Sequence, residues 1–234
     1  MAGRVEGCMQ EMEDTVRQST APGLIELEMG GQAVARGVRD AADRRAITRC
    51  LSGDLDAFAE VVGRHQDRLM WTAYHLLGDR EEAADAVQET FLRAYRALDG
   101  FGGEGYVRAW LGRIVVNVCV SLLRARAARP VVDRGRWDWG ATEGRYAQAE
   151  QRMVLAAAMA QLDVQDRAIL LLRHVHGLSS QEIGPAVDMP ANTVRSRLAR
   201  ARATLRALLP DGDSLFDAGD EAIMVRTVDG EDGR

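Results

Sequence analysis

Between residues 54 and 209, apolar side chains recur at three- and four-residue spacing, and the every-second-residue alternation of a strand is nearly absent. A chain so patterned has to fold as packed helices. Aromatic residues make up only 5% and β-branched runs are few, which leaves little from which to build a sheet. The pattern breaks at length once, over residues 129–144, where proline, glycine, charged residues and two tryptophans intervene. With 234 residues, 47% hydrophobic and 28% charged, the chain has globular composition and room for two small domains. The fold class predicted is therefore all-α, two small helical domains joined by a flexible linker. The expected boundaries are a flexible extension over 1–45, a first domain over 46–128, a linker over 129–145, a second domain over 146–209 and an acidic tail over 210–234.

Several function classes are excluded early. Cys8, Cys50 and Cys119 are odd in number and far apart, without a CxxC pair, so neither a disulfide framework nor a cysteine zinc site is suggested. No apolar run reaches the roughly 18 residues that a membrane helix needs, and the start lacks a signal-peptide pattern. The expectation is a cytoplasmic protein with no membrane insertion of its own. No nucleophile elbow, phosphate loop or dinucleotide fingerprint is present. Asp85 and Glu89 could share a metal, but the ExxH partners of a di-iron bundle are missing. His174 and His176, two apart, point to different faces. The chain thus reads as no enzyme, with no cofactor and no metal.

The helices can be placed. A first is expected over 54–65, with Leu55, Phe58, Ala59 and Val62 on one side. A second runs over 66–77 and stops at Gly78. The third starts after Asp79, its N-cap, and runs to Leu98, with Val87, Phe91, Ala94, Tyr95 and Leu98 as its core stripe. A glycine-rich loop over 99–105 leads to a fourth helix over 106–127. In the second domain one helix opens at Asp163, with Asp166 as capping partner, and ends at Gly177. Ser179 and Glu182 form a second capping box. After Pro190 a long basic helix over 191–209 carries Val194, Leu198, Ala201, Leu205 and Leu208.

The formal charge of −5 hides an uneven distribution. Residues 106–136 hold seven arginines against one acid, and 173–209 hold six against two, while 46–105 hold six against eleven. Two basic segments inside an acidic chain suggest two contacts with a polyanion and another partner for the acidic faces. A short helix over 179–187, a turn at Asp188-Met189-Pro190 and an arginine-bearing helix make helix-turn-helix spacing, whose second helix enters the major groove. A plain helical hairpin would give the same pattern. Arg195, Arg197, Arg200, Arg202 and Arg206, within twelve positions, tip the balance toward DNA.

With these residues in place, the chain resembles the extracytoplasmic-function (ECF) group of bacterial RNA polymerase sigma factors. Asp85-Ala-Val-Gln-Glu89-Thr-Phe91-Leu-Arg93 is similar to that family's polymerase-binding helix, and Trp110-Leu-Gly-Arg113-Ile-Val-Val-Asn117 to its promoter-melting helix. Leu162-Asp163, Leu170 to Ser179, Glu182-Ile183 and Thr193 to Leu198 resemble its second DNA-binding domain. The order and spacing of both blocks match over about 50–209. A stand-alone helix-turn-helix regulator would leave the Asp85 to Asn117 block unused.

The resemblance implies a promoter-specificity subunit, an alternative sigma factor acting in a stress response. Its partners would be core RNA polymerase, promoter DNA and an anti-sigma factor. The polymerase surface would comprise Asp85, Gln88, Glu89, Leu92, Arg93 and Arg96, on the side of the third helix away from Val87 and Phe91. Read from the residues alone, that face is better taken as a solvated one with Glu-to-Arg pairs. Minus-ten contacts would fall to Phe101, Tyr106, Trp110, Arg113 and Asn117, since a base drawn from the stack needs aromatic and polar partners. Trp110, four residues before Ile114, suits the core better than a DNA contact. Arg108, Arg124, Arg126 and Arg129 would hold phosphates. Minus-thirty-five reading would fall to Asn192, Thr193, Arg195 and Ser196, with Arg197, Arg200 and Arg202 on phosphate. Three positions depart from the family pattern: Ser121 replaces an acidic or amide residue, Asp188 replaces glycine in the turn, and Pro185 lies inside the first helix of the motif. The acidic tail from Asp211 either competes with the arginines for DNA or serves as a solubilising end.

Overall fold

The computed structural model describes residues 32–54, 56–101, 106–127 and 154–209, with side chains from residue 40 onward. Its helices are α1 (Gln32–Leu51), α2 (Ala57–Leu77), α3 (Arg80–Arg96), α4 (Val107–Ala127), α5 (Val164–His174), α6 (Ser180–Val187) and α7 (Ala191–Leu208). One turn of 3-10 helix follows α3 at Leu98–Gly100, and a helical stretch over 154–160 precedes α5. No strand occurs among the described residues. The expected linker over 129–145 and the acidic tail lie outside them, as do Leu55 and Arg129.

Two expectations about the N-terminal half are corrected. The helices placed over 54–65 and 66–77 are one continuous helix, α2. Its buried stripe runs through Phe58, Val61, Val62, His65, Leu69, Thr72, Ala73 and Leu76, and polar His65 interrupts that stripe only in the sequence. Ala59, assigned to the stripe, is exposed. The second correction concerns the flexible extension over 1–45, because α1 begins at Gln32 and crosses that boundary. Ala46, Ile47 and Cys50 of α1 are buried in the core. Asp43 is 1% exposed, with Oδ2 2.7 Å from His65 Nε2 and Oδ1 accepting from Arg64 Nε at 2.7 Å. Burial works to raise the Asp43 carboxyl, but the hydrogen bonds and charges of His65 and Arg64 outweigh it and hold it below its ordinary value.

Asp79 caps α3 by accepting from the Glu82 amide at 2.9 Å, and Glu81 and Glu82 complement the positive end of the helix. Val87, Phe91, Ala94 and Leu98 are buried as expected, while Tyr95 is half-buried. The Phe58 ring meets Phe91 and Tyr95 edge to face, at centroid distances of 6.3 and 5.3 Å. α4 lies across α2 and α3 and buries Leu111, Val115, Val118 and Cys119. Each large apolar side chain so buried contributes about 1.5–3 kcal/mol. Burial pushes the Cys119 thiol up to about 12, which leaves it inert as a nucleophile.

In the C-terminal half, Asp163 caps α5 by accepting from the Gln165 amide at 2.8 Å. Its expected partner Asp166 instead binds Arg197. The Ser179–Glu182 capping box has both of its halves. α5 ends at His174, three residues before Gly177. Asp188 takes the left-handed conformation at φ 55°, which aspartate tolerates better than most residues. α6 continues through Pro185, whose side chain is exposed. The turn is tight: a Cβ on Gly184 would lie 2.6 Å from the Met189 carbonyl oxygen. α7 buries Val194, Leu198, Ala201 and Leu205, but Leu208 is 38% exposed and falls off the stripe.

The two helical units pack directly on one another. α5 sits against α2 and α4, α6 sits against α4, and the buried apolar side chains form one cluster from Ala46 to Leu205.

Candidate protein and nucleic-acid interfaces

The N-terminal unit presents one face of α3 to the outside. Asp85, Arg93 and Arg96 are exposed, and Gln88, Glu89 and Leu92 are half-buried beside them. Arg93 Nε donates to Glu89 Oε1 at 2.6 Å, an intrahelical pair open to solvent and worth only a few tenths of a kcal/mol. The six residues expected on this face therefore do lie together on it.

The residues expected at the minus-ten element divide. Phe101 and Trp110 are half-buried and pack ring on ring, centroids 4.8 Å apart. Tyr106 is 54% exposed at the start of α4, and Asn117 and Arg124 are exposed further along. Arg113 is half-buried. Arg108 is half-buried, and its carbonyl faces the His176 ring of the other unit. Arg126 reaches Glu82 Oε2 at 3.1 Å, so it ties α4 to the start of α3.

On α7, Asn192, Thr193, Arg195, Ser196 and Arg200 are exposed along the outer side. Arg195 and Asn192, three residues apart near the start of α7, are hydrogen-bonded to each other. Two residues assigned to phosphate are corrected. Arg197 donates from Nε to Asp166 Oδ1 at 2.6 Å, from Nη1 to Gln165 Oε1 at 2.7 Å and from Nη2 to Asp163 Oδ1 at 3.1 Å. Its guanidinium therefore fastens α7 to the start of α5. Arg202 Nε donates to His174 Nε2 at 3.2 Å and is likewise turned inward. The periodic spacing of the arginines could not separate these from Arg195 and Arg200, because Asp166 and Asp163, the acids that claim Arg197, lie more than thirty positions away.

The comparisons with known proteins agree with this layout. The family model described as Sigma-70 region 2 matches residues 61–129, and that described as Sigma-70, region 4 matches 152–205. The RNA polymerase sigma-H factor of Pseudomonas aeruginosa is 32% identical over 182 residues, spanning 72% of this chain and 94% of that protein. The chain belongs to the ECF group of RNA polymerase sigma factors. The ECF RNA polymerase sigma factor SigW of Bacillus subtilis is 30% identical over 72% of this chain and 97% of its own length. A solved structure of CnrH in complex with the cytosolic domain of CnrY matches with a TM-score of 0.53 and 31% identity, over 71% of this chain and 96% of that one. The sigma factor RpoE from Bartonella quintana, solved with the anti-sigma factor NepR, shares the fold at a TM-score of 0.56 and 24% identity.

As an alternative sigma factor, the chain binds core RNA polymerase and directs it to promoters. Its family consists of transcription factors. None of the described helices is long and apolar enough to cross a membrane, and no metal-binding cluster occurs among the described residues. In this ECF sigma factor the region 2 match takes in most of α2 with α3 and α4, and the region 4 match takes in α5, α6 and most of α7.

One set of residues escaped the sequence reading. His176, Thr72, Gly112 and Arg68 meet at the seam between the two units. Thr72 and His176 are 104 positions apart, and only the glycine inside the α4 pattern hinted at a close approach.

Proposed function

We propose that the α3 face of Asp85, Gln88, Glu89, Leu92, Arg93 and Arg96 docks on core RNA polymerase. α4 with Phe101, Tyr106, Trp110, Arg113, Asn117 and Arg124 takes the minus-ten element, and Asn192, Thr193, Arg195 and Ser196 read the minus-thirty-five element. The two working domains are residues 32–128, which take in α1, and 146–209. The observation that carries this reading is the exposed polar face of α3 opposite buried Val87 and Phe91, in a helix that matches region 2. A face with a solvated Glu89–Arg93 pair adds little to folding, which leaves it free to recognise a partner.

The chain works in the cytoplasm, without catalysing a reaction of its own, and an anti-sigma factor controls it. Supporting the last point, the two solved structures named above each contain another protein, a cytosolic domain in one case and an anti-sigma factor in the other. The decisive experiment is co-elution of the full chain with bacterial core polymerase, against the double reversal Asp85→Arg, Glu89→Arg. Wild type should co-elute and the double reversal should not. A folded wild type that never co-elutes refutes the reading and favours a stand-alone DNA-binding regulator.

A further inference from the structure

The front of α7 carries uncovered positive charge. Pro190 stands at the cap and offers no side-chain acceptor to the first amides, and the first turn holds no acid. Amides at a helix start have no partner one turn back, so the partial positive charge of that end stays open to the outside. Arg195, the fifth residue of the helix, places its guanidinium in this field, which repels it. A long and exposed arginine in such surroundings has no single position of its own.

One acceptor counters this. Arg195 Nη2 donates to Asn192 Oδ1, and residues three apart are neighbours on a helix surface. Arginine has donors only, so the amide has to turn its oxygen, not its nitrogen, toward the guanidinium. Held at one amino group, the planar guanidinium keeps further N–H groups along its fork for a second partner. Asn192 has meanwhile committed its oxygen. The two-point grip of asparagine on adenine draws on that same oxygen, for which the arginine competes.

Neighbouring side chains offer no substitute for this fork. Arg197 and Arg202 are turned inward, to Asp166 and to His174. Ser196 Oγ donates to the Thr193 carbonyl at 3.0 Å, which commits its one hydroxyl hydrogen. Arg200 is exposed but lies more than a turn further along. Within residues 191–199, Arg195 is thus the one arginine exposed to an incoming base edge.

We propose that Asn192 is a positioning residue that sets the guanidinium of Arg195 for guanine, so that the two side chains together read one base pair of the minus-thirty-five element. This rests on the proposed reading of that element by α7. Guanine, with O6 and N7 both acceptors, is the base that such a fork fits. Ordering the arginine in advance removes a cost otherwise met only when the fork grips its base, so the hold of Asn192 is expressed as base preference.

The test measures binding of holoenzyme, formed with the full chain, to a promoter library randomised over the minus-thirty-five element. Wild type is compared with Asn192→Ala, Arg195→Ala, the two combined, and Asn192→Asp. Both residues are exposed and alanine favours a helix, so the helical spectrum should not change. Arg195→Ala should flatten the guanine preference at one base pair by about tenfold. Asn192→Ala should reduce the preference at that same base pair by about fivefold, the effect of an arginine no longer ordered in advance. The combined variant should be no flatter there than Arg195→Ala. Asn192→Asp should retain the preference, because a carboxylate oxygen accepts the same hydrogen bond. An Asn192→Ala protein that relaxes a different base pair would make Asn192 a reader in its own right and overturn the inference alone. Intact preferences in Asn192→Ala, a further loss at that base pair in the combined variant, or a lost preference in Asn192→Asp, would overturn it too. An Arg195→Ala protein that keeps every preference refutes the proposed base reading by this arginine and the inference with it.

Discussion

Arg197 Nε lies 2.6 Å from Asp166 Oδ1, which turns an arginine of the DNA-facing helix into a strut between α7 and α5. The side chains are only 22% and 17% exposed, so the pair is better protected than a surface one. Arg197→Ala should lower stability by about 1 kcal/mol, and Asp166→Ala should couple to it by a similar amount in a double-mutant cycle. Thermal unfolding of the four proteins checks this. Strictly additive effects would mean that the pair carries nothing and would return Arg197 to the phosphate backbone.

α1 is held by the buried carboxylate of Asp43 between His65 and Arg64. Removing one member of such a cluster strands its partners in a poorly solvated place, at a cost of about 3 kcal/mol. Asp43→Ala should show that loss in urea unfolding. A chain beginning at residue 46 should do worse, since it loses this cluster together with part of α1. A truncated chain as stable as the full one would show that α1 is dispensable.

The helical class, the caps at Asp79 and at Ser179–Glu182, and the stripes of α3 and α7 were legible because each depends on neighbours within one or two turns. The faces that meet solvent were legible for the same reason, as Asp85 to Arg96 demonstrate. What escaped was decided by partners far along the chain. Asp43 and His65 each look like a polar break in a helical pattern, and only their mutual burial makes one long α2 and an ordered α1. The strut at Arg197 and the seat at Gly112 depend on Asp166 and His176, contacts that no periodicity encodes. Pro185 shows the limit from the other side, since a residue expected to kink the helix lies within α6 without ending it.

Two buried histidines make the fold acid-sensitive. Burial is the main cause for both, aided by Arg167 at His75 and by Arg68, Arg108 and His65 around His176. His75 is pushed down from 6.5 to about 4, and His176 also falls well below 6.5. A histidine with a lower value in the folded state binds fewer protons folded than unfolded, so stability rises with pH across the gap. The full stability is present above pH 6.5 and declines from there toward pH 4. His75 alone accounts for about 2 kcal/mol at pH 5. Below 3.8 the protonation of Asp43 removes more, because its folded value is depressed. Urea midpoints at pH 5 and 7.5 should differ accordingly, and His75→Gln should narrow the difference. Equal midpoints in wild type would contradict the buried neutral state of both rings.

Arg195 and Arg200 are both exposed on α7, yet they should fail differently when removed. Arg195 is the fifth residue of α7, one turn on from Asn192, near the end of a recognition helix that reaches base edges. Arg200 lies more than a turn further on, where the helix passes the backbone. Arg195→Ala should cost about 1–3 kcal/mol of discrimination at one base pair of the minus-thirty-five element, relaxing the preference there and leaving other positions unchanged. Arg200→Ala should weaken all promoters alike and reduce the salt dependence of binding by about one phosphate contact. Holoenzyme binding to a promoter library randomised over the minus-thirty-five element, at two salt concentrations, separates the two behaviours. A uniform loss from Arg195→Ala would move base reading off this arginine and make it one more phosphate contact.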